Sequence, residues 1–208
     1  MDKIIAKLNR IGKDYIDDTF SLHRRDPYTF IINGNTISPA INQKKNENKV
    51  VNVVNWFDDF WLYVEISFVL NGRKKRQSIP NIFFTLSAFQ GNTSVESKVQ
   101  LFRAEWDNYE DLSDKHPQPH WHIYTQREIV ETPKSFAEII DAADENFEDY
   151  IKNNNQIVNI DKFHFAMNGQ WSQNMPDTHT ITETSDLTNW FNGLLNHLKK
   201  ELKYVKEK

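Results

Sequence analysis

The chain has 208 residues and contains no cysteine. This absence excludes disulfide bonds, thiolate metal ligands and cysteine nucleophiles. Glycine is scarce, with 6 residues, and the chain has no glycine-rich phosphate loop, Gly-x-Ser-x-Gly elbow or His-Glu-x-x-His motif. A nucleotide cofactor is therefore not expected.

The chain also lacks long hydrophobic runs and an excess of positive charge. No segment approaches the roughly 18 apolar residues of a membrane-spanning helix, and residues 1–18 carry charges throughout, unlike a signal peptide. The net charge of -4 gives no global basic field of the kind that nucleic-acid coat proteins show. We therefore expect a soluble, cytoplasmic protein with no membrane partner, and the abundance of Asn, Lys and Ile is typical of AT-rich bacterial genes.

The hydrophobic content of 38% is sufficient for one folded domain over residues 1–208. Apolar periodicity predicts an N-terminal helix over 1–25, a sheet over 28–168 with an inserted helix at 135–152, and an amphipathic C-terminal helix over 185–206. Strands that follow one another directly indicate an α+β fold with a mostly antiparallel sheet. We expect the N-terminal, middle and C-terminal helices to cover one face of this sheet and the other face to be open.

Successive side chains of a strand point to opposite faces of the sheet, so a regular alternation of apolar and polar residues identifies a strand and assigns each side chain to a face. The predicted strands are YTFIIN, KVVNVVNW, WLYVEISFVL, IFFTLSAF, VQLFRAEW, HWHIY and KFHFAM. The polar segment SPAINQKKNENK is predicted to be a loop. The alternation places a set of polar side chains on the face opposite the helices, and these are Arg103, Glu105, Asp107, His120, His122, Tyr124 and His164.

Three histidines on one sheet face favour a functional site, because histidine is an uncommon solvent-facing residue. A His-x-His pair on a strand directs both imidazoles to the same side. With His164 and Asp107, the residues His120 and His122 provide nitrogen and oxygen ligands suited to Zn, Mn or Fe. Glu105 is an alternative ligand. This interpretation requires the strands to be neighbours, which the sequence does not determine.

A second interpretation uses the same residues without a metal. Histidines titrate near neutral pH and can act as general acid and general base in phosphodiester cleavage. In that case His120, His122 and His164 transfer protons and Glu105 orients a histidine. Arg103 binds the phosphate and Tyr124 donates a hydrogen bond.

A third interpretation is a non-catalytic docking surface for a protein or a nucleic acid, because aromatic residues and arginine are enriched at interfaces. The basic stretch GRKKR at residues 72–76 can contact a phosphate backbone, although lysines on an edge strand also serve only to prevent aggregation. The C-terminal helix, with Trp190, Phe191 and Leu194 on one side, is a candidate for contact with a second subunit.

The segment FRAEWDN, followed by HPQPHWHIYT and a predicted helix, resembles the TumE-type family of bacterial toxins from toxin–antitoxin pairs. The similarity covers about 45 residues within 101–146. The matching positions are Arg103, Trp106, Asp107, Asn108, His116, Pro117, Pro119, His120 and His122. The resemblance implies a bacterial toxin or antiphage-defence role, with an antitoxin or an assembly subunit as partner, and it supplies no mechanism.

Overall fold

The computed structural model describes residues 1–44, 47–69, 81–92, 98–107, 118–124, 181 and 183–207. These residues form two helices and eight strands. The elements are α1 (Asp2–Tyr15), β1 (Ser21–Asp26), β2 (Thr29–Asn33), β3 (Ile37–Lys44), β4 (Glu47–Phe57), β5 (Phe60–Val69), β6 (Asn81–Gln90), β7 (Val99–Asp107), β8 (His120–Ile123) and α2 (Thr184–Lys206).

All strand pairs are antiparallel, and they form one sheet in the order β1-β2-β5-β6-β7-β8. Two strands share one edge of β5. β2 pairs with the end of β5 from Glu65 to Ser67, and β4 pairs with the other end from Phe60 to Leu62. β3 then pairs with β4 alone. The predicted α+β class and the mostly antiparallel sheet are confirmed.

One face of the sheet is apolar and is covered by α2. Ile66, Phe84 and Trp106 lie in register on this face. The Trp190 ring packs edge-on against Phe84 and Trp106, with 5.3 Å between ring centroids in both cases. α1 packs against α2 and β1. The leucine stripe of α2 is buried, because helix and sheet each need an apolar partner.

The opposite face, called the polar face, carries the residues that the alternation predicted for it on β7 and β8. Glu65, Thr85, Glu105 and His120 occupy one row of registered positions across β5, β6, β7 and β8. Strand order therefore places the predicted polar residues of β7 directly beside those of β8.

Part of the polar face is covered by β3, which the sequence did not predict. The segment SPAINQKKNENK, residues 38–49, was expected to be a loop, and this prediction is wrong for residues 38–44, which lie in β3, and for residues 47–49, which begin β4. Asn42 of β3 accepts hydrogen bonds from Ser87 and Gln100, at 3.0 Å each, and all three side chains are buried. Because these polar groups bond with one another, their burial costs little. A strand rich in polar residues is thus stable over the sheet.

The N-terminal helix is shorter than the predicted span of 1–25. It ends at Tyr15, and residues 21–26 form β1. The carboxylate of Asp17 accepts hydrogen bonds from the backbone N–H and the hydroxyl of Thr19, at 2.6 Å each. Such local bonds compete with helix continuation. Phe20 then folds back against Gly12, where an added Cβ would lie 2.1 Å from the ring.

Two predicted elements lie outside the described residues. These are the middle helix over 135–152 and the strand that contains His164. The C-terminal helix begins at Thr184 and ends at Lys206, close to the predicted 185–206, with a capping box formed by Glu183 and Asp186. In the described part of the chain, no helix is long and apolar enough to cross a membrane. Trp190, Phe191 and Leu194 are buried in the chain's own core.

The packing of α2 on the sheet leads to a stability prediction. Phe191 is fully buried and its ring centroid lies 5.3 Å from that of Phe84. We expect Phe191→Ala to lower the free energy of unfolding by about 3–5 kcal/mol, because the change leaves a cavity. The exposed neighbour Asn192 is the control, and Asn192→Ala should stay within about 0.5 kcal/mol of wild type. Denaturant titration measures both, and equal effects would contradict the core position of Phe191.

Candidate functional site

The pairing of β7 with β8 assembles a cluster of titratable residues. Glu105 lies opposite His120 and Arg103 lies opposite His122 in the antiparallel register. β8 is anchored from the other face, where Trp121 packs edge-on against Phe102 with 5.6 Å between ring centroids. The period-two alternation of both strands then directs the carboxylate and the two imidazoles to the polar face.

The ligand atoms of Glu105, His120 and His122 converge on one point. His120 Nε2 and His122 Nε2 are 2.9 Å apart. Glu105 Oε2 lies 3.2 Å from His122 Nε2 and 3.4 Å from His120 Nε2. All three residues are partly exposed, with 16% of the Glu105 side chain and 35% of the His122 side chain accessible to solvent. The cluster therefore lies at the surface of the polar face rather than within the core.

These separations match those of ligands around a single small cation. Atoms about 2.1 Å from a common ion are about 3.0 Å apart at a right angle and about 3.4 Å apart at the tetrahedral angle. The three observed distances lie at or close to this range. Glu105, His120 and His122 are the one group in the described ranges with the composition and spacing of a metal site. Two imidazoles and one carboxylate suit Zn, Mn or Fe and leave further coordination positions to solvent or substrate.

The second oxygen of Glu105 is held away from the histidines by other groups. Arg103 Nε lies 3.0 Å and Lys44 Nζ 3.9 Å from Glu105 Oε1. The Thr85 hydroxyl donates to the same oxygen at 3.4 Å. Glu105 Oε1 is thereby fixed, and Oε2 is directed towards the imidazoles, although Arg103 Nη2 also donates to Oε2 at 3.4 Å. This is the arrangement expected for a carboxylate that coordinates through one oxygen.

The ionisation of Glu105 and His122 also suits a cation. Burial of Glu105 opposes its ionisation, but the hydrogen bond with His120 and the charges of Arg103 and Lys44 outweigh burial and lower its pKa to about 2. Burial and the positive charge of Arg103 lower the pKa of His122 below its ordinary value. At neutral pH, Glu105 is therefore a carboxylate and His122 a neutral imidazole, and these are the forms that bind metals.

Arg103 connects the cluster to β3. Only 1% of its side chain is accessible, and Nη1 donates to the carbonyl oxygen of Gln43 and, at 2.8 Å, to the hydroxyl of Tyr124. The Tyr124 hydroxyl in turn donates to the same Gln43 carbonyl at 2.6 Å. Nη1 and Nη2 of Arg103 donate to internal partners, and the contact between Arg103 and a phosphate stays a prediction. Arg103 and Tyr124 thus link the cluster to the Gln43 carbonyl of β3.

The remaining predicted ligands are placed differently. His164 lies outside the described residues. Asp107 is two positions beyond Glu105 on β7, where its backbone N–H donates to Gln118 at 2.9 Å, and its carboxylate is not part of the converging group.

Sequence reasoning missed Lys44, Thr85 and the Gln43 carbonyl. Thr85 was identifiable from its alternation within IFFTLSAF. Nothing in the sequence indicated that β3 reaches the site.

Comparisons of the chain with protein-family models, with curated proteins and with solved structures found no match in any of the three. The resemblance to the TumE-type toxins thus remains an expectation from the sequence.

The low pKa of Glu105 predicts a specific loss of stability in acid, in protein freed of metal by a chelator. The folded-state pKa of about 2 lies below the ordinary value of 4.5. Ionised Glu105 therefore stabilises the fold above pH 4.5, and this contribution disappears as the pH falls towards 2. The difference in pKa corresponds to roughly 3 kcal/mol.

Glu105→Gln removes this titration and leaves all other carboxylates unchanged. Between about pH 5 and pH 2, the wild type should lose roughly 3 kcal/mol more unfolding free energy than the variant. Denaturant unfolding at a series of pH values measures this difference. Parallel pH dependences for the two proteins would show that Glu105 is not held ionised by its neighbours.

Proposed function

We propose that Glu105, His120 and His122 bind one divalent transition-metal ion, and that the protein uses it to hydrolyse nucleic-acid phosphodiesters as a toxin- or defence-type effector. The observation that carries the proposal is the convergence of Glu105 Oε2 on both Nε2 atoms, at 3.2 and 3.4 Å. The side chains of Arg103, Lys44 and Thr85 contact the same carboxylate, which favours a built site over an accidental cluster.

The chemistry follows from the ligand set. A divalent cation held by three protein ligands acidifies a coordinated water and neutralises charge on a phosphate. In the reaction, a water oxygen bonds to phosphorus, one P–O ester bond breaks and the leaving oxygen takes a proton. The products are a phosphomonoester and an alcohol. Glu105 and the histidines hold the ion, and Arg103 and Tyr124 keep Glu105 in place without contacting the substrate.

A phosphodiester is supported by the charge around the cluster. Arg103 already balances the charge of Glu105, so a bound cation and the exposed Lys44, with 54% of its side chain accessible, leave the site positive. Anionic substrates are attracted to such a site. The toxin or defence role rests on the partial resemblance to the TumE-type family.

Removal of one ligand tests the metal site. The protein is purified without a metal-affinity tag and analysed for Zn, Mn and Fe, and the affinity for each ion is measured after chelation. His122→Ala removes a direct ligand of the metal. The affinity for the metal should therefore fall by more than the roughly 10–100-fold that is lost when a residue that only orients a ligand is replaced. His23, exposed on β1, is the matched control, and His23→Ala should bind metal as the wild type does.

Hydrolysis of a labelled oligonucleotide, with and without chelator, completes the test. Loss of cleavage on chelation and its return with one of the three ions supports the proposal. Cleavage that survives chelation favours acid–base catalysis by the same histidines without a metal. Neither metal binding nor cleavage would favour a non-catalytic subunit that docks a protein or nucleic acid, such as part of a defence assembly.

The positioning role of Arg103 gives a separate prediction. Arg103→Lys keeps a positive charge but loses the planar group that contacts Glu105, Tyr124 and Gln43 together. We expect the affinity for the metal to fall about 10–100-fold. Circular dichroism checks that the variant is folded. An affinity equal to that of wild type in the folded variant would exclude a role for Arg103 in orienting Glu105.

A further inference from the structure

One side of the hairpin formed by β3 and β4 is directed towards the polar face of the sheet. Asn42 of β3 is buried there and accepts a hydrogen bond from Ser87 of β6 at 3.0 Å. Because every second side chain of a strand shares a face, Lys44 projects to the same side as Asn42. The contact of Lys44 with Glu105, at 3.9 Å between Nζ and Oε1, confirms this direction. This side of the hairpin therefore reaches the metal cluster.

A second lysine lies on the same side of the hairpin. In the register of β3 and β4, Lys49 is directly opposite Asn42, and Glu47 is directly opposite Lys44. Residues directly opposite each other in an antiparallel pair share a face, and diagonal neighbours such as Lys44 and Lys49 are about 7–8 Å apart. Lys44, Glu47 and Lys49 are all exposed. Together they form a surface called the lysine face.

The lysine face carries positive charge beside the cluster. Its two lysines outnumber its one carboxylate, Glu47. The Glu105 carboxylate that Lys44 approaches is already paired with Arg103, whose Nε lies 3.0 Å from Oε1. At 3.9 Å, Lys44 Nζ is too far from the same oxygen for a hydrogen bond. Lys44 can therefore direct its N–H donors to an anion bound at the cluster.

We propose that the lysine face holds the backbone of a polynucleotide substrate, with Lys44 on the phosphate at the metal cluster and Lys49 on a neighbouring phosphate of the same strand. The proposal rests on the proposed function and specifies its substrate as a chain with more than one phosphodiester. Lysine binds phosphate as a point charge, and its flexible stem allows each ammonium group to follow the strand. Phosphate contacts carry no sequence information, so the lysine face selects for chain length and not for sequence.

The test measures binding of a fluorescent single-stranded oligonucleotide by anisotropy at several salt concentrations, with metal removed by a chelator. Lys44→Gln and Lys49→Gln should each lower the affinity. Each should also reduce the slope of log affinity against log salt by about 0.7, as expected for one lost phosphate contact. Glu47→Gln should raise the affinity, because it removes a negative charge beside both lysines. A purely structural role of these residues would not produce opposite effects.

Cleavage by the metal-loaded protein separates the roles of the two lysines. A dinucleotide has one phosphodiester and so has no second phosphate for Lys49. Lys49→Gln should lower kcat/KM for an oligonucleotide and leave that for a dinucleotide unchanged, whereas Lys44→Gln should lower both. An equal loss for the two substrates in Lys49→Gln would contradict the assignment of a neighbouring phosphate to Lys49.

Lys200 is the matched control, because it is an exposed lysine of α2, which packs on the opposite face of the sheet. Lys200→Gln removes the same charge at a distance from the lysine face and should bind the oligonucleotide as the wild type does. Wild-type affinity and salt slope in the double variant Lys44→Gln, Lys49→Gln would overturn the proposal. An equal loss of affinity in Lys200→Gln would also overturn it, since binding would then follow the total charge alone.

Binding without metal distinguishes this proposal from the hydrolytic function. If Lys44→Gln and Lys49→Gln lose affinity while the wild-type protein cleaves nothing with any of the three ions, the lysine face stands and hydrolysis fails. If the wild type cleaves oligonucleotides but both variants bind normally, hydrolysis stands and the lysine face is wrong.

Discussion

The arrangement of the site depends on one buried charge. The guanidinium of Arg103 lies where 1% of the side chain reaches solvent, and an isolated charge in such a position is too costly to persist. It is compensated by the Glu105 carboxylate, the Tyr124 hydroxyl and the Gln43 carbonyl. These three groups come from β7, from the residue after β8 and from β3. The need to satisfy one side chain therefore brings together three segments that are distant in the sequence.

The sheet is the second constraint on the site. The register of its strands places Glu65, Thr85, Glu105 and His120 in one row and so determines which side chains meet. On the apolar face, α2 covers the neighbouring row, where Trp190 contacts both Phe84 and Trp106. The same strands consequently cannot rotate to move Glu105 away from His120 without exposing aromatic rings. The rigidity of the apolar face is what allows small distances to be maintained among polar groups on the other face.

Much of this could be predicted from the sequence, and the remainder could not for identifiable reasons. Period-two alternation assigned Arg103, Glu105, His120, His122 and Tyr124 to one face, since every second side chain of a strand shares a face. The pairing of β7 with β8 was unreadable, because strand order depends on contacts between distant segments. β3 was missed because Ser38, Asn42 and Gln43 read as loop residues, and their bonding partners, such as Ser87 and Gln100, lie elsewhere in the chain.

The acceptor that β3 contributes at residue 43 is a main-chain carbonyl. A backbone oxygen is present whichever amino acid occupies the position. The support of Arg103 by β3 is therefore encoded in the path of the chain and not in the identity of a residue. Single substitutions of the side chain at position 43 should therefore have little effect on the site. A shift of β3 by one residue relative to β4 would instead remove the acceptor from Arg103 and disturb the site.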